Sequence, residues 1–158
     1  MANRAFSYDI ALKMAEVFGK HKVEYLFIGK SGAVLYGFPD TTQDVDVFPK
    51  KDPQNGERIV FAMEELGFDM DEELKSAIIK GKDFVQIREG PFDIDLIFAP
   101  DGIETYEEAK KRSKIVENIF PVASLGDIIK SKRSAGRKRD KEVLERLEAF
   151  DAYLKHNV

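Results

Sequence analysis

Two aspartates separated by one residue are the part of this sequence best suited to chemistry. Asp44 and Asp46 lie in a segment whose other residues, Val45, Val47 and Phe48, predict a buried β-strand. On a strand, side chains two residues apart leave the same face, with α-carbons ~6.6 Å apart at a rise of ~3.3 Å per residue. Two carboxylates held that close repel each other unless a cation lies between them. The spacing therefore predicts a divalent metal site, and the solvent-facing side of an edge strand is the alternative.

A turn that contains glycine precedes this strand. Gly29 follows the apolar residues 25–28, and Lys30 and Ser31 come next, at the start of a short helical pattern. Backbone amides at a helix start, beside a lysine and a hydroxyl group, can hold phosphate oxygens. The segment lacks the Gly-x-x-x-x-Gly-Lys-Ser/Thr spacing of a P-loop, and an ordinary strand-to-helix turn is the alternative. Together with the aspartates, the turn predicts a phosphate site that faces a metal site.

A second apolar strand, residues 92–98, carries Asp93 and Asp95. If this strand lies beside the one that carries Asp44 and Asp46, three or four carboxylates converge on one spot. Hard divalent ions such as Mg²⁺ or Mn²⁺ prefer carboxylate and phosphate oxygens as ligands. In two-metal phosphoryl chemistry, ions ~3.5–4 Å apart hold the attacking and leaving oxygens. One carboxylate can also take the proton from the attacking hydroxyl group.

Helix caps and apolar periodicity predict the elements that position these residues. We expect helices over residues 8–18, 33–36, 53–66, 71–79, 105–112 and 125–134 and from 140 onward, and strands over 23–28, 44–48, 83–88, 92–98 and 114–120. Gly90 and Pro91 separate two of these strands, which predicts a hairpin. The fold class is therefore α+β (mixed α/β), a small mixed sheet flanked by helices.

Six phenylalanines are expected in the hydrophobic core, namely Phe27, Phe48, Phe61, Phe84, Phe98 and Phe150. Tyr36 or Phe38 could stack on a nucleobase, although core packing is the favoured interpretation. His21 and His156 lie near helix ends and are expected at the surface rather than as metal ligands.

Length and composition limit the class of protein. The 158 residues fit one domain, with a sheet core over about 23–120 and C-terminal helices over 124–156. The net charge of −4 gives no general attraction to nucleic acid or to an anionic membrane, and the absence of cysteine excludes disulfides and thiolate metal sites. No apolar run approaches the ~20 residues of a membrane span, so we expect a soluble cytoplasmic protein without a membrane partner.

The combined pattern resembles a known superfamily. A glycine, a short helix, then Thr-x-Asp-h-Asp-h (h, apolar), and about fifty residues later a strand ending h-Asp-h-h, resemble the nucleotidyltransferases related to polymerase beta. The segment from Ile128 to Asp140, Ile-Ile-Lys-Ser-Lys-Arg-Ser-Ala-Gly-Arg-Lys-Arg-Asp, is also similar to a helix in small bacterial nucleotidyltransferase-fold proteins of abortive-infection and toxin–antitoxin systems. The resemblance covers about residues 23–140.

This resemblance implies a fold, an activity and a set of site residues. The fold would be the nucleotidyltransferase fold, and the activity a Mg²⁺-dependent transfer of a nucleoside monophosphate from an NTP, such as ATP, to an acceptor hydroxyl group with release of pyrophosphate. Asp44, Asp46 and Asp95 would be the catalytic metal ligands, with Asp93 accessory. Gly29, Lys30, Ser31, Lys132 and Arg137 would bind the nucleotide phosphates, with Asp140 bracing Arg137. The acceptor can be a protein side chain, an RNA end or a small molecule, and a partner chain or a homodimer is plausible.

Two positions depart from the family pattern. Lys30 stands where the family usually has glycine or serine directly after the first glycine, and Asp40 stands where relatives often place arginine. These departures motivate a second hypothesis, a catalytically inactive nucleotidyltransferase-like protein that acts as an antitoxin or scaffold. A phosphohydrolase that uses the same carboxylates on water is a third and weaker hypothesis.

Overall fold

A computed structural model of the chain describes residues 4–157. Within that range the chain forms seven α-helices and six strands: α1 Tyr8–Lys20, β1 Tyr25–Ile28, α2 Gly29–Leu35, β2 Val45–Pro49, α3 Pro53–Glu65, α4 Glu72–Lys80, β3 Phe84–Ile87, β4 Ile94–Ile97, α5 Tyr106–Arg112, β5 Lys114–Val116, β6 Phe120–Val122, α6 Leu125–Ala135 and α7 Lys141–His156. A 3₁₀ turn, Lys138–Asp140, joins α6 to α7. The mixed α+β class predicted from the sequence is confirmed.

Local signals in the sequence set the ends of several helices. The Ser7 hydroxyl oxygen accepts a hydrogen bond from the Ile10 N–H at 3.3 Å and begins α1, and Ser124 does the same for α6 by accepting from the Asp127 N–H at 3.0 Å. Gly136 ends α6 in the left-handed conformation, with φ +63°. The α6 helix is important for the site because its Lys132 lines the same cavity as Asp46.

The strands form one mixed sheet in the order β3-β4-β2-β1-β6-β5 across residues 4–157. The central pair β2 and β4 is parallel, whereas β1 pairs with β2 and β3 pairs with β4 in antiparallel fashion. The β3–β4 pairing is the hairpin that Gly90 and Pro91 predict. Because β2 and β4 are neighbours, the aspartate pairs of both strands come to the same region of the sheet.

The two faces of this sheet have different roles. On one face α1 packs against the strands, with the Phe18 and Tyr25 rings 4.8 Å apart and Phe27 fully buried. On the opposite face α2 packs against β1 and β2, and Gly32 of α2 packs closely on Ile128 of α6. The first face is a continuous apolar core, which leaves the second face available for polar side chains.

The structure differs from the sequence-based expectations in three places. The helix expected at 33–36 begins at Gly29, so the glycine turn is itself the first turn of α2. The single strand expected over 114–120 is a hairpin of β5 and β6, because Glu117 and Asn118 adopt positive φ angles of 56° and 61° that reverse the chain. Phe61 and Phe84, expected in the core, are 60% and 45% exposed.

None of the helices described in residues 4–157 combines the length and the apolar character that crossing a bilayer requires.

Candidate functional site

Three carboxylates converge where β2 and β4 pair. The Cα of Asp46 lies directly opposite that of Asp95 in the parallel register, and Asp44 immediately precedes β2 on the same face as Asp46. One carboxylate oxygen from each of Asp44, Asp46 and Asp95 lies within 4.8 Å of the other two. The parallel pairing thus brings together residues that are about fifty positions apart in the sequence.

The electrostatics of this cluster disfavour three ionised carboxylates without a cation. Burial raises the pKa of Asp46 well above its usual value, the charges of Asp44 and Asp95 raise it further, and the nearby Lys132 ammonium group opposes the increase. Burial also raises the pKa of Asp95. A bound cation would favour the ionised form of both groups.

An arginine that the sequence analysis did not single out lies beside the cluster. Arg88 follows β3, with Nη1 2.9 Å from Asp95 Oδ1 and Nη2 3.8 Å from Asp44 Oδ2. The predicted hairpin could have indicated Arg88. Strand pairing that is symmetric about Gly90 and Pro91 places residue 88 opposite residue 93, two positions from Asp95. Arg88 therefore supplies positive charge to the cluster from within the chain.

The ligand set fits a hard divalent cation. Asp95 Oδ1 is buried and forms an ion pair with Arg88, whose Nη1 lies 2.9 Å away. A buried carboxylate needs a compensating positive charge, which a metal ion can supply as well as a guanidinium group can. Carboxylates are the side chains through which proteins bind Mg²⁺, together with phosphate oxygens of a substrate. Asp44, Asp46 and Asp95 are therefore the residues that could hold Mg²⁺.

Gly29 and Ser31 shape the turn beside Asp46. Gly29 has φ +66°, and a Cβ at this position would collide with the Asp46 carboxylate. The Ser31 hydroxyl group is fully buried, donates a hydrogen bond to the Ile28 carbonyl oxygen at 3.0 Å and accepts one from the Asp46 N–H at 3.0 Å. Glycine thus leaves room for the carboxylate, and the serine joins the end of β1 to the start of β2.

Lys30 and Asp40, the two departures from the family pattern, form an ion pair with each other. Lys30 Nζ lies 3.0 Å from Asp40 Oδ2, and Arg146 Nη2 of α7 lies 2.8 Å from the same oxygen. Two cations therefore hold Asp40. The pairing directs Lys30 to Asp40, and Lys30 is not among the side chains that line the adjoining cavity.

A cavity of about 390 Å³ adjoins the carboxylates. It lies between α6 and the β3–β4 hairpin, and its lining includes Gly29, Asp46, Lys132 and Arg137. Asp140 forms an ion pair with Lys132 at 3.4 Å. The sequence analysis expected Asp140 to brace Arg137, but the structure pairs it with Lys132. The cavity thus combines one carboxylate of the cluster with two cations from the C-terminal segment.

Comparison with known proteins supports the fold. No protein-family model matches this sequence, and no curated protein matches it significantly. The structure is similar to the crystal structure of a Thermotoga maritima protein that is provisionally named a nucleotidyltransferase, with a TM-score of 0.57, 17% sequence identity, and coverage of 87% of this chain and 89% of that one. At this identity the similarity establishes the fold, and the chain has a nucleotidyltransferase-like fold.

Proposed function

We propose that this protein is a Mg²⁺-dependent nucleotidyltransferase, which transfers a nucleoside monophosphate from an NTP to an acceptor hydroxyl group and releases pyrophosphate. The observation that carries the proposal is the convergence of Asp44, Asp46 and Asp95, whose oxygens lie within 4.8 Å of one another. Asp46 also lines a cavity that contains cationic side chains. The similarity in fold to the Thermotoga maritima protein supports the same class of reaction.

In the proposed reaction the carboxylates have two roles. Asp44 and Asp46 would hold divalent ions, which would neutralise the charge that develops on the phosphate oxygens. Asp95 accepts the proton of the acceptor hydroxyl group as its oxygen forms a bond to the α-phosphorus. The bond from the α-phosphorus to the bridging oxygen breaks, and pyrophosphate leaves. Catalysis thus depends on positioning and on charge neutralisation.

Residues around the carboxylates would bind the nucleotide phosphates and support the loop beside them. Lys132 and Arg137 line the cavity and would contact the phosphates, with Asp140 holding Lys132 in place through their 3.4 Å ion pair. Gly29 provides open backbone beside Asp46, since it carries no side chain. Lys30 and Ser31 would support the loop through Asp40 and through the β2 backbone, respectively.

The test is an assay of nucleotide transfer. Wild-type protein is incubated with Mg²⁺ and NTPs labelled at the α-phosphate, and both pyrophosphate release and labelling of the chain, of RNA and of small molecules are measured. The amide variants Asp46→Asn and Asp95→Asn keep the shape of the side chain but lose its charge, so we expect transfer to fall by at least ~10²-fold.

The control for this assay is Asp69→Asn, at an exposed position between α3 and α4. Its transfer rate should equal that of the wild type, and circular dichroism should show that all three variants are folded. Normal turnover in Asp46→Asn or Asp95→Asn would contradict the proposed mechanism.

The alternative function is an inactive nucleotidyltransferase-like protein that acts as an antitoxin or scaffold. The observation that favours it is Arg88, which lies 2.9 Å from Asp95 and gives the carboxylates a cation without any metal. Calorimetry of NTP binding with and without Mg²⁺ separates the two functions. Binding that requires Mg²⁺ favours the transferase, and binding that ignores the metal favours the scaffold.

The cellular setting of the proposal follows from the sequence resemblance. We propose that the protein acts in the cytoplasm, in a toxin–antitoxin or abortive-infection system, and that its acceptor is presented by a partner macromolecule or by a second copy of the chain. Expression together with neighbouring gene products, followed by size-exclusion chromatography, tests for such a complex.

A further inference from the structure

An exposed aromatic ring lines the cavity beside the carboxylates. Phe84 is the first residue of β3, a strand at the edge of the sheet, and 45% of its surface is exposed. It pairs with Ile97 of β4, and both residues line the cavity. A single exposed phenylalanine on a convex surface is common, but concave sites that bind small molecules are typically lined by such apolar rings. The position of Phe84, rather than its exposure alone, indicates a ligand.

Register places Phe84 at a defined distance from the carboxylates. Phe84 pairs with Ile97, which follows Asp95 by two residues on β4, and Asp95 lies opposite Asp46 on β2. Two strand spacings across the sheet and two residues along it separate the α-carbons of Phe84 and Asp46 by ~12 Å. The ribose and base of a nucleotide can cover this distance when its phosphates lie at Asp46.

The two ends of the cavity differ in chemistry. At the Asp46 end, the Lys132 ammonium group is close enough for its charge to act on the carboxylate. Beside Phe84 the lining includes the apolar Ile97 and Ala99 and the carboxylate of Asp83, and Pro100 and Asp101 follow Ala99 in the chain. Carboxylates accept hydrogen bonds from hydroxyl and amino groups and repel phosphates. One end therefore suits the phosphates of a nucleotide, and the other suits its ribose and base.

We propose that Phe84 is the platform on which the nucleobase of the bound NTP stacks. The inference rests on the proposed function and adds to it a specific residue for nucleoside recognition. Because every base has a π-face, stacking on phenylalanine tolerates different bases and contributes affinity without selecting one of them. Phe84 therefore distinguishes a nucleoside triphosphate from a bare polyphosphate.

The experiment compares two ligands that share the phosphate chain. Binding of α,β-methylene-ATP, which cannot transfer its AMP group, and of inorganic tripolyphosphate is measured by calorimetry in the presence of Mg²⁺. In Phe84→Ala, loss of the stacked ring should weaken binding of the ATP analogue about 5- to 100-fold. Binding of tripolyphosphate should stay at the wild-type value, because this ligand has no base.

Two further variants serve as controls. Phe61→Ala removes a phenylalanine of α3 that is more exposed than Phe84 and lies outside the cavity lining, and it should change the affinity for neither ligand. Phe84→Tyr keeps the aromatic ring and should keep the affinity for the ATP analogue. Thermal unfolding of each variant shows whether it is folded under the conditions of the titration.

A fluorescence measurement provides a second readout. The chain contains no tryptophan, so Phe84→Trp introduces a single tryptophan at the proposed stacking position, and its emission can be excited apart from that of the tyrosines. The ATP analogue should change the emission of this tryptophan in a saturable way, whereas tripolyphosphate at the same occupancy should leave it unchanged.

The outcomes separate the two proposals. If the wild type binds the ATP analogue and Phe84→Ala binds it equally well, or loses both ligands to the same extent, the stacking role is overturned and the proposed function stands. If the wild type binds neither ligand in the presence of Mg²⁺, the proposed function fails and the stacking role fails with it. A loss of affinity confined to the nucleoside ligand supports both.

Discussion

Two charged clusters lie close together in this protein, and they balance their charges in opposite ways. The first is the carboxylate cluster of Asp44, Asp46 and Asp95. Arg88 forms ion pairs with Asp44 and Asp95, and the charge of Lys132 acts on Asp46. In the second, the Asp40 cluster, one carboxylate lies within 3.0 Å of Lys30 and 2.8 Å of Arg146. The first cluster has an excess of acid, and the second has an excess of base.

The pKa values of the aspartates shift in opposite directions in the two clusters. In the carboxylate cluster, burial and neighbouring carboxylates raise the pKa of Asp46. At Asp40 burial also acts to raise the pKa, but hydrogen bonds from Lys30, Arg146 and the Thr41 N–H outweigh it and lower the pKa to about 2. The comparison teaches that Asp40 is already neutralised by the fold, whereas the three acidic groups of the carboxylate cluster outnumber the two cations beside them, Arg88 and Lys132.

Two adjacent residues, Gly29 and Lys30, contact different clusters. Gly29 lies against Asp46, and the next residue, Lys30, pairs with Asp40. A side chain at position 29 would therefore strain the carboxylate cluster and leave the Asp40 cluster in place.

The largest expected effect comes from Gly29→Ala. The substitution forces alanine into a left-handed conformation, φ +66°, and places its Cβ against the Asp46 carboxylate. We expect the free energy of unfolding to fall by about 2–4 kcal/mol, from backbone strain and overpacking together. Urea unfolding measures this change.

Gly136→Ala is the matched control for that substitution. Gly136 has a nearly identical φ of +63°, but a Cβ there would have no atom within 4 Å. It should cost about 1 kcal/mol, since only the backbone strain remains. Equal costs at the two positions would show that the contact with Asp46 has no energetic consequence.

A smaller effect is expected from Arg88→Gln, which removes the internal cation of the carboxylate cluster. In metal-free protein the free energy of unfolding should fall by about 1–2 kcal/mol, because Asp95 remains buried beside other carboxylates. The same change removes a competitor for the divalent ion. Saturating Mg²⁺ should therefore raise the melting temperature of Arg88→Gln by more than it raises that of the wild type.

Arg139→Gln, at an exposed position outside the cavity lining, is the control for the arginine substitution. Thermal unfolding with and without Mg²⁺ should give the wild-type difference for this variant. If Mg²⁺ stabilises Arg88→Gln no more than the wild type, then Arg88 does not compete with the metal.

The smallest effect is expected from Asp40→Asn, and it depends on pH. The pKa of Asp40 is about 2 in the folded protein, below its ordinary value of 3.8, so the ionised form stabilises the fold above pH ~4. This stabilisation is lost as the pH falls from about 4 to about 2. At pH 7 we expect Asp40→Asn to lower the free energy of unfolding by on the order of 1 kcal/mol, because solvent screens part of the interaction.

Urea unfolding checks the direction of this pH dependence. Wild type and Asp40→Asn are compared at pH 7 and at the lowest pH at which both proteins fold. The difference in stability between the two proteins should shrink as the pH falls. Asp69→Asn provides the control at an exposed position. A difference that is constant with pH would mean that Asp40 acts through packing rather than through charge.

Several local features of the structure were predictable from the sequence. The caps at Ser7 and Ser124 and the stop at Gly136 follow from side chains that satisfy free backbone groups within a few residues. The hairpin of β3 and β4 follows from the Gly90-Pro91 turn between two apolar runs. These features need no information from distant parts of the chain, and the i, i+2 spacing of Asp44 and Asp46 is of the same kind.

Other predictions were wrong because they depend on how the elements pack. Phe61 and Phe84 belong to apolar patterns, but the packing leaves both rings partly exposed, Phe84 in the cavity lining. The chain reverses at Glu117 and Asn118, where neither residue is a glycine or a proline that would have predicted a turn. Sequence periodicity shows which residues share a face, and it does not show whether that face is covered.

The sequence by itself determined the chemical groups: pairs of aspartates on apolar strands, a glycine turn and a basic C-terminal segment. Only the tertiary structure decided that β4 lies parallel to β2, that Arg88 reaches Asp95, and that Lys30 turns to Asp40 instead of the cavity. The physical reason is range. Backbone geometry fixes contacts between residues a few positions apart, whereas contacts between residues fifty positions apart depend on the strand order that gives the lowest free energy for the whole chain.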